Sequence, residues 1–173
     1  MKFKLFVVLC SIFVTNFSLA QEKTELEKLS ETTGTITILG YTDLGSVLYD
    51  PAYPKYGIFI EKRIIETPGS SINTKGIVLT VQNYKGENGR SFVYQEEIND
   101  LIAALEYISN VTKDITTLEN YEVTYRTIDG FEVKTYTDDK GVIKFRAKAG
   151  NMSQTMKLYY LNFFIEKLKE IKF

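Results

Sequence analysis

Two apolar stripes with the same spacing dominate the pattern of this chain. Ile98, Leu101, Ile102, Leu105 and Ile108 fall on one face of a helix, and Leu161, Phe164, Ile165, Leu168 and Ile171 repeat the same steps near the C-terminus. They predict helices over about residues 96–110 and 160–172. Glu96, Glu97 and Asp100 suit the positive end of the first helix dipole, and Lys167, Lys169 and Lys172 suit the negative end of the second.

Ahead of each stripe the period shortens from helical to alternating. Strands are predicted over 35–41, 58–65, 77–84 and 91–94 before the first helix, and over 121–127, 131–137, 142–147 and 155–158 before the second. Asp50 to Pro54, Thr67 to Ser71 and Lys85 to Arg90 carry the proline and glycine of loops. The pattern predicts an α+β fold, an antiparallel β-sheet with two helices packed on one face. The repeated order divides it into two β-sheet-plus-helix halves, 57–112 and 121–173, with Gly76 and Gly141 opening matching strands. The inward strand residues Ile77, Leu79, Val81, Val123, Tyr125, Val133, Ile143 and Phe145 join the helix stripes in the expected core.

One hairpin allows a register to be stated. A three-residue loop from Ile128 to Gly130, with Gly130 left-handed, sets Tyr125 opposite Val133 and Arg126 opposite Glu132. Glu132 is then expected between Arg126 and either Lys144 or Arg146. These charges read as a solvated ladder of ion pairs, each contributing about 0.2–1 kcal/mol. A functional role for them requires a cleft.

The ends add a destination. Residues 1–20 read as a secretory signal peptide: Lys2 and Lys4 precede a short apolar run, and Ser18-Leu19-Ala20 places small residues before a cut at Ala20-Gln21. The sequence around Cys10 does not fit a lipid-anchor box. Periplasmic or secreted protein is expected, with a polar lead-in over 21–33, a single domain over 34–173 and no stable membrane insertion. Removing 20 of 173 residues leaves 153, with 19 basic and 22 acidic side chains. That near-balance lacks the basic stripe of a nucleic-acid binder.

The mature chain has no cysteine, histidine or tryptophan. Most zinc, copper and haem sites, thiol nucleophiles and the Ser-His-Asp triad are thereby removed, and no metal or cofactor is expected. Glu96, Glu97 and Asp100 lie on one helix turn, where they stabilise a helix end rather than flank a substrate. Asp138-Asp139-Lys140-Gly141 lacks the ligand spacing of a calcium loop and reads as a polar turn. Lys85 to Arg90 lacks the spacing of a phosphate loop and reads as a hairpin turn. Tyrosine is the enriched reactive type, with 12 residues. Tyr53 and Tyr56, in the proline-rich loop, are the candidate partner-binding residues, because tyrosine offers large contact area at low rotamer entropy.

The segment Phe92 to Ile108, with its Asp100-Leu101-Ile102-Ala103-Ala104-Leu105 helix, and the following Tyr125-Arg126-Thr127 strand resemble a scattered group of small uncharacterised bacterial proteins. The resemblance spans roughly residues 72–173 and implies a β-rich, helix-backed domain, with no activity or site residues attached.

The leading functional expectation is an exported non-enzymatic binding module for a protein or envelope component, acting through the open sheet face or the Tyr53 loop. A homodimer through that face is compatible with the pattern. A small-molecule or lipid carrier is the alternative, and it requires a cavity between sheet and helices near Phe145 and Phe164. A carboxylate-based hydrolase is the third reading, and it requires two acids from different elements converging in one cleft.

Overall fold

A computed structural model describes residues 23, 28, 31, 34, 36–47, 56–69, 71, 73–112, 115, 117–118, 121–138 and 140–173. The expected signal peptide, most of the polar lead-in and Tyr53 lie outside the described residues. Strands β1 (Ile38–Val47), β2 (Gly57–Glu66), β3 (Asn73–Gln82) and β4 (Asn88–Tyr94) form one antiparallel sheet in sequence order, followed by helix α1 (Ile98–Ser109). Strands β5 (Val123–Arg126), β6 (Glu132–Thr137), β7 (Ile143–Ala149) and β8 (Met152–Met156) form a second such sheet, followed by helix α2 (Leu158–Lys169). Among the described residues no helix is long and apolar enough to cross a membrane.

The α+β class stands, with two sheets in place of one. β1 joins the first sheet, so each sheet has four strands and is followed by one helix. The edge of β4 shows why the sheets stay separate. The Phe92 and Tyr94 N–H groups donate to carboxylates, Asp129 Oδ2 at 2.7 Å and Glu97 Oε2 at 3.1 Å. These donors are therefore taken, and β4 cannot continue the ladder into another strand.

Alternation along the strands sends one face of each sheet into a shared core. Ile60, Leu79 and Val93 from the first sheet and Val133, Phe145 and Met156 from the second meet the buried stripes of both helices in one cluster. Val123, Tyr125 and Ile143 border it, half-buried. Phe164 of α2 packs edge-on against Phe131, with ring centroids 6.0 Å apart. Lys169 on α2 pairs with Glu106 on α1 at 2.9 Å, tying the helices together on the solvent side. Opposite the core, Ile65, Val78 and Phe92 form a smaller cluster on the outer face of the first sheet.

The sequence-based register of the β5–β6 hairpin holds: Tyr125 faces Val133, Arg126 faces Glu132, and Gly130 has φ +80°. The expected neighbours of Glu132 on the next strand need correction. Lys148 lies opposite Glu132, while Arg146 faces Lys134 and Lys144 faces Tyr136. The cause is the β6–β7 turn, where the Asp138 N–H donates to the Val142 carbonyl at 2.9 Å and Thr137 pairs with Ile143. The strand also runs past residue 147 to Ala149. There a two-residue turn at Gly150-Asn151 returns the chain directly into β8, which ends at Met156 instead of residue 158. Gly76 lies inside β3 rather than at its start, and Gly141 lies in the turn before β7.

Candidate binding cleft

The same alternation that fills the core places charge on the other side of the second sheet. Strand pairing brings Arg126, Glu132 and Lys148 into one row across β5, β6 and β7, and Thr124, Lys134 and Arg146 into the next. The Glu132 carboxylate accepts from Arg126, with Nε at 3.1 Å and a second contact from the guanidinium. Glu132 has a side chain only 13 % exposed, against 65 % for Arg126, so the acid is the fixed member of the pair. Lys134 reaches back to both oxygens of Glu122, at 2.8 and 2.9 Å. Arg146 stacks over the Tyr136 ring, 4.9 Å from its centroid, and donates to its hydroxyl at 3.3 Å. A hydrogen bond from Thr155 is the main reason the Tyr136 phenol titrates below its usual range, and Arg146 adds to the effect.

Where this face meets the first sheet, a cleft of about 310 Å³ opens to solvent. Arg90 of β4 forms one wall. Arg126, Asp129, Gly130 and Glu132 of the β5–β6 hairpin form the second, and Lys148, Gly150 and Asn151 of the β7–β8 hairpin close the third. Two close approaches fix these walls. The Asp129 carboxylate is the one that accepts the Phe92 N–H. A Cβ built on Gly89 would lie 1.9 Å from the Ala149 carbonyl oxygen, so only glycine lets the two backbones approach this closely.

Glu97, read from sequence as a helix-end acid, has a second task. It is buried, and its carboxylate bridges the Tyr94 N–H and, at 2.8 Å, the Ile128 N–H at the tip of the β5–β6 hairpin. Asp138 is a turn residue, as expected, and accepts the Lys140 and Val142 N–H groups at 3.0 and 2.9 Å. Tyr56, a candidate partner-binding residue, is half-buried and packs against the core. The seam between the sheets thus gathers Arg126 and Glu132, which sequence reasoning paired, with Arg90 and Lys148, which it did not. No family model, curated protein or solved structure matches the chain.

The cleft holds acids and bases but shows no nucleophile–base pairing. Asp129 is engaged by a backbone N–H and Glu132 by a guanidinium, and both acids come from one hairpin. Such a set can hold a charged ligand by direct ion pairing and hydrogen bonding.

Proposed function

We propose that the protein is an exported, non-enzymatic binding module that engages its partner from the strand side, at the seam cleft and the adjoining face of the second sheet. The observation that carries this reading is the cleft itself: charged side chains from three separate elements converge there, on a scaffold held by backbone hydrogen bonds to Glu97 and Asp129. Rigid support of this kind lowers the ordering cost of binding. The carrier alternative is less favoured, because Phe145 and Phe164 are 4 % and 0 % exposed within the packed core. The hydrolase alternative is less favoured because the two cleft acids share one hairpin and already accept hydrogen bonds.

Hydroxyl-radical footprinting of the purified protein with and without its own envelope fraction tests the proposal. Protection is expected at Arg126 and Lys148. Protection confined to Tyr56 and the neighbouring loop would overturn it, and a small molecule retained in native mass spectrometry without protection at the cleft would favour the carrier.

A further inference from the structure

The outer face of the second sheet concentrates positive charge on a chain that is acidic as a whole. Its strands present Arg126, Lys134, Lys144, Arg146 and Lys148 against one strand carboxylate, Glu132; Glu122 just before β5 and Asp138 in the β6–β7 turn flank them. The mature chain carries 19 basic and 22 acidic residues, so the remainder is distinctly negative.

The register adds a sharper feature. Lys134 and Arg146 stand directly opposite each other on β6 and β7. Like charges at facing positions of a sheet destabilise it. Each of the two leans on a different neighbour, Lys134 on Glu122 and Arg146 on Tyr136, so the strip between them is flanked by two cations. An anion seated there would relieve the repulsion and meet two charge-assisted donors.

The other groups on the face narrow the class of anion. Thr124, Ser153 and Thr155 are exposed hydroxyl residues, and Tyr136 offers a half-buried ring. The strand positions of this face carry no aliphatic side chain to enter a bilayer. Glu122 and Glu132 stand among the cations as hydrogen-bond acceptors, so a ligand with hydroxyl donors between its anionic groups suits the face better than an unbroken run of phosphates. A polymer that carries carboxylates for the cations and hydroxyls for the acids and the exposed Thr and Ser side chains is an acidic polysaccharide.

We infer that the outer face of the second sheet, running into the seam cleft, binds an acidic polysaccharide, with Lys134, Arg146 and Lys148 holding its carboxylates. This rests on the binding-module reading and specifies its ligand. The strip along β6 and β7 leads from Lys134 and Arg146 to Lys148 at the cleft, where Arg126 and Arg90 extend it.

The test is affinity electrophoresis of the purified protein in gels containing polygalacturonate, alginate or hyaluronate, with methyl-esterified pectin, single-stranded oligothymidylate and phosphatidylglycerol vesicles as comparisons. Retardation by at least one of the three uronate polymers is expected, weakened roughly tenfold or more by removal of its charge through esterification. A Lys134→Gln/Arg146→Gln double variant should lose retardation by a similar factor while its Tm changes little, because the relieved like-charge repulsion offsets the lost contacts to Glu122 and Tyr136. Lys148→Gln should weaken binding without altering the far-ultraviolet circular dichroism. No retardation by any uronate polymer, equal retardation of the double variant, or stronger binding to oligothymidylate or vesicles would overturn the inference. Cleft protection by the envelope fraction would still report separately on the binding-module reading.

Discussion

Glu97 joins two parts of the chain through a single carboxylate. One oxygen accepts the Tyr94 N–H and the other the Ile128 N–H, so removing either acceptor takes the partner from a part-buried backbone donor. Glu97→Gln keeps one oxygen and loses the other. It should lower the unfolding free energy by about 1–3 kcal/mol in urea titrations. Asp138 acts on a smaller scale and in water. The N–H groups of Val142 and Lys140, with Lys144 nearby, hold its carboxyl below the ordinary 3.8. A depressed carboxylate pKa stabilises the fold above the unfolded value and loses that contribution as pH falls through the folded one. The β6–β7 turn should therefore loosen only below about pH 4, seen as faster amide exchange at Lys140 and Val142 in the wild type and no such step in Asp138→Asn.

At the scale of elements, α2 is the strongest single contributor of apolar surface from the second half. Leu161, Phe164, Ile165 and Leu168 are buried along one face, while Asn162 and Glu166 face solvent. Phe164→Ala should cost about 3–5 kcal/mol, measured by thermal or urea unfolding, and Asn162→Ala within about 0.5 kcal/mol. This helix was legible because its stripe recurs at 3.6 residues, a signal that needs no tertiary context. The β5–β6 register was legible for a similar reason: only one loop length keeps Tyr125 and Val133 on the same face. The β7–β8 hairpin also carried its signal, a Gly-Asn pair at Gly150-Asn151, but Met152 is the one apolar residue between Gly150 and Gln154, too little to show the alternation around it. The position of Glu132 against Lys148 depended on where the Asp138 turn closes, and a shift of closure moves every partner along the strand.

The whole molecule is held at a seam where β3 and β4 lie against β7 and β8. Gln154 crosses it to donate to the Gln82 carbonyl at 2.8 Å, and Gly89 meets the Ala149 carbonyl without an intervening side chain. Gly89→Ala should push the sheets apart and cost about 1–3 kcal/mol in urea unfolding, with loss of the cleft geometry as the visible consequence. The cleft was not legible from sequence for a related reason. Arg90 and Lys148 belong to different sheets, and no local spacing announces that their strands converge. The layout of the core also sets a timetable. Synthesis delivers β1–β4 and α1 before the second sheet and α2, so their inward residues stay incompletely covered until Leu161 to Leu168 arrive. Closure of the shared core therefore waits for α2, and a chain stopped before that helix lacks the surface that seals both sheets. A chain ending at Lys157 should remain expanded and dye-binding, and adding α2 back should convert it to a compact state in one cooperative step.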